Sequence, residues 1–403
     1  MGLGSVKNII SVIKRTDRNQ LSVRIVVVIV SVLLLLFAQS IMEPKKQYDG
    51  ADQPVAKAKV VGIQSRDIRY YEIGDETIEE ISITFFARIL SGEYKGELVY
   101  CIQNSDPFYP IPQKEIEVGD KILVHKMGQD PYSAEWQLGE YLRTDALSIL
   151  AAAYVVLLII MGGVKGLWAI LALGLTCVSV LGVFVSALLS GRNIYLWAIL
   201  VCLFSIASTL LLVSGIHKKT LTASIGCAAG VGISGLLTLI MNQLLHLTGF
   251  VDENSLYLSA MLSEGNVDLN AIMFAGILIG ALGAVMDVAM SISSALWEIA
   301  EQTQGGSFVS LFRSGITIGR DIMGTMANTL VLAYVGSSLS VVLLLIAYST
   351  SMLGLLNREM IVVEVLYALV GSFGILCAIP LTSLACASCY PHKKAGERPS
   401  EEV

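Results

Sequence analysis

One acidic residue, Asp287, lies in the middle of an almost wholly apolar stretch. A carboxyl group at the depth of a lipid bilayer costs about 3 kcal/mol or more unless it is paired or solvated, so such residues are the first candidates for function. A single carboxylate at that depth can bind and release a proton or a cation. The sequence therefore makes Asp287 the centre of the candidate site.

Small and polar residues around Asp287 recur at steps of three or four, which places them on one face of a helix. The members of this stripe are Gly276, Gly280, Gly283, Asp287, Ser291, Ser294 and Glu298. Its glycines allow another helix to approach closely. Its polar half is predicted to face protein or water.

A second polar helix is predicted to begin at Arg320 and to carry polar side chains in its first two turns. At 1.5 Å of rise per residue, Asp287 lies about 15 Å from Trp297, and Asn328 lies about 12 Å from Arg320. Both helices run to the same membrane surface, so the two side chains are predicted to lie at similar depth. The candidate substrate- or ion-binding residues are Asp287, Ser291, Ser294, Glu298, Arg320, Asp321, Thr325 and Asn328.

The composition indicates a membrane protein. Of 403 residues, 54% are hydrophobic and 15% are charged, whereas soluble domains carry about 25% charged residues. The charges are confined to a few stretches, as in multi-pass membrane proteins. The chain has no basic domain, so nucleic acid is not expected as a partner. The seven cysteines form no metal-binding or disulfide framework, and no cofactor, metal site or catalytic residue is predicted.

The N-terminal part, residues 1–24, is basic and precedes an apolar run at 25–42. We interpret this run as a transmembrane anchor. A cleaved signal peptide is the alternative, because Phe37–Ser40 loosely resembles a cleavage site. Either interpretation keeps the basic N-terminus in the cytoplasm and exports the chain from residue 43 onward.

Residues 44–143 are polar and have the composition of a β-domain. Strands are predicted at 57–64, 80–90, 97–103, 118–124 and 135–143. A hairpin turn is predicted at Ser91–Gly96. Short strands of this number suggest a small exported antiparallel barrel or sandwich, and no catalytic set lies within it.

Residues 145–386 are predicted to form a seven-helix transmembrane domain, followed by a cytoplasmic tail at 387–403. The spans are placed at 146–164, 167–189, 194–214, 221–246, 269–297, 321–349 and 362–385. With the anchor, the fold class is an α-helical polytopic membrane protein with about eight transmembrane helices and a small exported all-β domain between the first and second helices.

Loop charges set the predicted topology. Lys165, the cluster at 217–219 and the basic tail fall on the side predicted to be cytoplasmic, whereas the acidic loop 248–268 falls outside. This distribution agrees with the positive-inside rule, with both termini cytoplasmic and residues 44–143 extracytoplasmic. We therefore expect a plasma-membrane location.

Two further segments have a predicted structural role. Gly226, Gly230 and Ser234 form a small-residue seam that is predicted to pack against another helix. In the connector 301–319, Gly305–Gly306 is predicted to break the helix. The remainder of the connector is predicted to be a short amphipathic helix on the membrane surface or a re-entrant piece lining a cavity.

Two long motifs, Gly283–Ser294 and Gly319–Leu330, resemble those of the YibE/F-like family of bacterial multi-pass membrane proteins. Leu332–Gly336 continues the resemblance, and the exported segments Gly92–Gly96 and Val118–Asp120 are also similar. The resemblance spans about residues 57 to 385. It implies a membrane topology and focuses the site on the two motifs, but it implies no substrate.

Three functions compete at this stage. A transporter or permease would use Asp287 to bind a proton, a cation or a small-molecule substrate within the lipid bilayer. A membrane scaffold or sensor would use the exported domain to bind a partner, such as a cell-envelope component or a membrane protein of the same family. An intramembrane enzyme lacks support, because no H-E-x-x-H or aspartyl motif occurs, and we expect the protein not to be an enzyme.

Overall fold

The computed structural model describes residues 3–41, 54–73, 76–105, 114–127, 135–251, 255, 257, 258, 268–303, 307–348 and 351–390. The chain divides into two compact units. One is Lys46–Leu157, and the other combines Met1–Lys45 with Leu158–Val403. The first contains a β-barrel, and the second is a helical bundle.

Five strands close the barrel in the order β1-β2-β3-β5-β4, with β4 returning to β1. The strands are β1 Val55–Ile73, β2 Glu76–Ile89, β3 Leu98–Asn104, β4 Lys121–Lys126 and β5 Trp136–Tyr141. All pairs are antiparallel except β3 with β5, which is parallel. The prediction of a barrel or a sandwich therefore resolves to a barrel.

Side chains alternate along β2 between the interior and the outside. Phe85 and Ile89 are buried, whereas Phe86 and Arg88 are exposed. The predicted hairpin between β2 and β3 is confirmed, with Gly92 at a φ of 86°, a conformation that favours glycine. The first two strands extend beyond their predicted ends because they pair with each other as a two-stranded ribbon as far as Ile73 and Glu76.

The helical unit is built from helices of very different length. In chain order, the described residues form α1 Leu3–Ile41, α2 Thr144–Val178, α3 Val185–Leu189, α4 Ile194–Ser214, α5 Lys218–Leu244, α6 Leu269–Gln302, α7 Phe308–Ser337, α8 Leu339–Tyr348, α9 Met352–Leu356 and α10 Glu359–Cys389. A π-helical turn, Ser179–Phe184, joins α2 to α3.

Within the described residues, six helices are long and apolar enough to cross a membrane, and a seventh candidate is the pair α7 and α8, which bend by 59°. The predicted spans 146–164 and 167–189 fall in one apolar run of 46 residues, Thr144–Leu189. This run is broken at Gly163, where φ is 53° and ψ is −132°. The carbonyl of Leu158 occupies the space that a side chain at position 166 would fill if Gly166 were replaced. Residues eight apart lie about 12 Å apart along a straight helix, so the chain turns sharply here.

The predicted start of a helix at Arg320 is wrong, as is the separate surface helix in 301–319. Helix α7 begins at Phe308, where the side chain of Ser307 accepts a hydrogen bond from the backbone N–H of Ser310 at 3.2 Å. Residues 308–319 continue into the polar motif because a buried seam at Leu311, Gly315 and Gly319 runs through them with helical spacing. Gly305–Gly306 lies outside the described residues.

The centre of the bundle is the close packing of α5, α6 and α10. A side chain at Gly226 would meet Thr382 of α10, and one at Gly230 would meet Ala378 and the carbonyl of Gly374. The predicted role of this seam in helix packing is confirmed, because only glycine leaves room for the α10 backbone.

A buried hydroxyl cluster joins the same three helices at one end. The Tyr390 hydroxyl lies 2.7 Å from Ser293 Oγ and 3.0 Å from Thr222 Oγ1. The ring of Trp297 packs edge-on against Tyr390, with centroids 5.1 Å apart. These contacts hold the ends of the three central helices together.

Helix α1 packs against the bundle. Leu35 is buried in the main hydrophobic cluster. The Arg24 guanidinium lies over the Trp168 ring at 5.4 Å and donates to the carbonyl of Val213 at 3.4 Å. These contacts join α1 to α2 and α4.

Candidate functional site

The predicted stripe on α6 exists, and its polar half lies on the outside of the helical unit. Helix α6 runs without a break from its N-cap, Asp268, to Gln302. Gly283, Asp287, Ser291 and Glu298 are exposed on it, and Ser294 is half-buried. An uninterrupted helix keeps these residues on one face.

The glycines at the other end of the stripe receive tyrosine hydroxyls, rather than the backbone of another helix. The Tyr367 hydroxyl of α10 occupies the space beside Gly276, and the Tyr334 hydroxyl of α7 occupies the space beside Gly280. At Gly283 a side chain would meet nothing within 4 Å. The surface beside Asp287 is therefore open.

The predicted site residues of the second motif form an exposed stripe on α7. Arg320, Asp321, Thr325 and Asn328 are all exposed. The Thr325 hydroxyl donates to the carbonyl of Ile322 at 2.9 Å, so it is engaged within its own helix. A side chain at Gly324 would meet nothing within 4 Å. This stripe, like that on α6, borders open space.

Two contacts fix the register of α6 and α7 as antiparallel neighbours. Tyr334 meets α6 at Gly280, and Leu296 of α6 lies 3.0 Å from the side-chain position of Gly315. Asp287 is seven residues beyond Gly280, about 10 Å, and Asn328 is six residues before Tyr334, about 9 Å. Asp287 and Asn328 therefore lie at about the same level.

Equal level does not bring these side chains into contact. Among the residues that the structure describes, no hydrogen bond or ion pair joins Asp287 to another side chain, and Arg320 and Asp321 form no ion pair. Glu298 accepts a hydrogen bond from Gln302 Nε2 at 2.9 Å. No group of three or more metal-binding side chains occurs in the described ranges. The arrangement is an open polar surface with one carboxylate at its centre.

Two cavities lie at opposite ends of the α6–α7 pair. One, of about 500 Å³, is at the start of α6 and includes Tyr334, Glu364 and Tyr367 in its lining. The other, of about 580 Å³, is at the start of α7 and includes Arg313 and Thr317. The level of Asp287 lies between them.

Sequence reasoning missed three residues of the first cavity: Tyr334, Glu364 and Tyr367. Glu364 is an acidic residue inside the predicted span 362–385, and Tyr367 follows three residues later on the same helical face. This pair is the feature of the sequence that could have indicated a second polar site. Tyr334 closes the second motif, but its contact with Gly280 depends on how two helices pack.

Long apolar helices that carry a shared polar surface define this chain as an integral membrane protein. The chain belongs to the YibE/F-like protein family, whose model matches residues 150–392. This match confirms the resemblance predicted from the two motifs and covers most of the helical unit, whereas the barrel strands lie outside it. Neither the curated proteins nor the solved structures include a match to the chain.

Proposed function

We propose that this protein is a non-enzymatic permease of the bacterial plasma membrane, which couples movement of a small solute to a proton or cation bound at Asp287. The observation that carries the proposal is the open polar surface that α6 and α7 share at one level. Polar groups are unfavourable against lipid chains, so this surface is expected to line a water-filled cleft. Asp287 is the carboxylate at that level, and a carboxylate can take up and release a positive charge.

The proposed topology has about eight spans, with both termini in the cytoplasm. The run Thr144–Leu189 would be about 69 Å long as a straight helix, more than twice the hydrocarbon thickness of about 30 Å. Its break at Gly163 supports two spans in place of one. The loop charges support an extracytoplasmic barrel, and no nucleic acid is expected to bind.

The cavities at the two ends of α6 and α7 suggest how access would alternate. Each cavity would give Asp287 access to one side of the membrane, and the two would open in turn, as in transporters with a site near the bilayer midplane. Tyr334 lies between the Glu364 cavity and Asp287, because it lines that cavity and its hydroxyl rests on Gly280. Movement of Tyr334 would therefore connect the two.

The proposal is tested by proton flux into vesicles that contain the purified protein. Asp287→Asn keeps the shape of the side chain but cannot titrate, so we expect flux to be lost while expression and monodispersity are kept. Glu301→Gln is the matched control, since Glu301 is an exposed carboxylate on the same helix beyond the stripe. Full flux through Asp287→Asn would exclude coupling at this residue.

The second candidate is a membrane scaffold or sensor, which a specific feature of the barrel favours. Phe86 of β2 and Tyr100 of β3 are cross-strand partners on the outside of the barrel, with ring centroids 5.6 Å apart. Phe86 is 37% exposed, and Val61 and Ile63 of β1 are exposed nearby in the same sheet. Exposed apolar patches of this kind are typical of binding surfaces.

On this second proposal, the barrel binds a cell-envelope component or a membrane protein of the same family. Crosslinking in cells should then recover a partner with the wild-type chain and lose it with Phe86→Ser. Val118→Ser is the control, because Val118 is an exposed apolar residue in the turn before β4. An unchanged set of crosslinks with Phe86→Ser would count against the patch.

A further inference from the structure

The cavity at the start of α6 is separate from the Asp287 level and has its own chemistry. It has a volume of about 500 Å³, within the range of small-molecule sites. Its lining includes Gly249, Met273, Tyr334, Ser337, Glu364 and Tyr367. We propose that this cavity binds a small organic cation, with its ammonium group between the Glu364 carboxylate and the rings of Tyr334 and Tyr367. The inference goes beyond the proposed transport function and does not depend on it.

The two tyrosines supply the aromatic part of such a site. Their ring centroids are 5.6 Å apart, and the ring planes are tilted by 46°. The Tyr367 hydroxyl donates to the carbonyl of Met273 at 3.4 Å, and the Tyr334 hydroxyl rests on Gly280. Both hydroxyls are thus directed at α6, which fixes the rings. Aromatic rings attract ammonium groups through their electron-rich faces.

Glu364 supplies the negative charge. In the described part of the chain it has no hydrogen bond and no ion pair, although apolar side chains such as Met273 line the same cavity. A carboxylate in such surroundings is stabilised by a nearby positive charge. None of the lining residues that the structure describes is a Lys or an Arg. A bound cation would supply this positive charge.

The lining favours an organic cation over a metal ion. Ca²⁺ takes six or more oxygen ligands, and Mg²⁺ binds through carboxylates and ordered waters. Glu364 is the one carboxylate among the lining residues that the structure describes, and the described residues contain no cluster of metal-binding groups. One carboxylate beside two aromatic rings matches an ammonium group instead.

The wall of the cavity is held in place before any ligand binds. The Glu359 carboxylate accepts hydrogen bonds from the backbone N–H of Thr248 at 2.6 Å and of Gly249 at 2.8 Å, and from the Thr248 hydroxyl at 2.8 Å. Glu359 lies in the first turn of α10, five residues before Glu364. These bonds join the segment after α5 to α10, the helix that carries Glu364. A wall that is already ordered lowers the entropic cost of binding a ligand.

The experiment is calorimetric titration of the full chain in detergent with tetramethylammonium chloride. tert-Butanol is the neutral probe of similar shape. We expect saturable binding of tetramethylammonium and none of tert-butanol. Glu364→Gln should weaken tetramethylammonium binding by about tenfold or more, which corresponds to about 1.4 kcal/mol. Tyr367→Leu should weaken it more than Tyr367→Phe does, because phenylalanine keeps the ring and loses only the hydroxyl that orients it.

Glu301→Gln is the control for a lost carboxylate far from the cavity. Binding of tert-butanol as tight as that of tetramethylammonium would overturn the proposal without any variant, as would the absence of saturable binding. Undiminished binding by folded Glu364→Gln would also overturn it. Asp287→Asn separates the two proposals: it should abolish flux and leave tetramethylammonium binding unchanged.

Discussion

The hydroxyl of Tyr334 in α7 occupies the space that a side chain at Gly280 of α6 would fill. This contact lies about 10 Å along α6 from Asp287. Tyr334 also lines the Glu364 cavity. The position of the Tyr334 ring therefore depends on position 280 having no side chain.

Gly280→Ala and Gly283→Ala are expected to behave differently. Alanine at 280 must displace Tyr334, so we expect a lower melting temperature in detergent and altered proton flux. Alanine at 283 would meet nothing within 4 Å. It should keep or raise the melting temperature, because alanine is about 1 kcal/mol better than glycine inside a helix. Identical behaviour of the two variants would show that the tyrosine contact does not constrain the helices.

Tyr390→Phe should destabilise the bundle. It removes the hydroxyl that contacts Ser293 and Thr222 and leaves a gap among buried polar groups. A loss of about 1–3 kcal/mol is expected for such a change. Ser388→Ala is the control, since its exposed hydroxyl donates to the carbonyl of Leu384 in its own helix. Thermal unfolding in detergent measures both, and equal melting temperatures would contradict the prediction.

Cys101 should resist maleimide in the folded protein. It is fully buried in the barrel, and burial raises the pKa of its thiol to about 12. The thiolate is the reactive form, and a raised pKa lowers its fraction at every pH below about 12. Mass spectrometry should find Cys101 unlabelled at pH 8 and labelled after denaturation.

An added cysteine at an exposed site tests the orientation of the barrel. Lys95→Cys lies in the exposed turn between β2 and β3. On the proposed topology it should react with an impermeant maleimide on intact cells, while native Cys101 should not. Reaction of Lys95→Cys only after permeabilisation would place the barrel in the cytoplasm.

The barrel is expected to fold without the helical unit. It has its own buried core of thirteen hydrophobic residues and is near the size at which single domains become stable. Trp136 is buried, and Tyr94 packs edge-on against it at 5.6 Å. A fragment of residues 50–143 should therefore show a β-type spectrum and cooperative unfolding by Trp136 fluorescence. Trp136→Ala should cost about 3–5 kcal/mol. A disordered spectrum of the wild-type fragment would contradict this expectation.

The sequence predicted those features that depend on local periodicity. The α6 stripe follows from steps of three and four residues, and the alternation in β2 from a step of two. The wrong start of α7 came from the polar residues and the glycine pair before Arg320. The buried seam at Leu311, Gly315 and Gly319 has helical spacing and was visible in the sequence, but small residues contribute little to an apolar pattern.

The Glu364 cavity could not be predicted in the same way. Its walls come from α6, α7, α10 and the segment after α5, so residues between Gly249 and Tyr367 meet in it. The pairing of Tyr334 with Tyr367 depends on the register between helices, and that register is set by packing at glycines and not by any local pattern. Asp287 was predictable because its chemistry is unusual for its surroundings whatever the neighbours are.

The hydroxyl cluster at Tyr390 has a consequence for the order of events during synthesis. Thr222 and Ser293 leave the ribosome long before Tyr390, which is the last residue that the structure describes. The contact that joins α5, α6 and α10 can therefore close only when translation has passed position 390. Before that point, α5 and α6 of the nascent chain lack the contacts with the Tyr390 hydroxyl. The incomplete bundle is then expected to be more susceptible to membrane proteases.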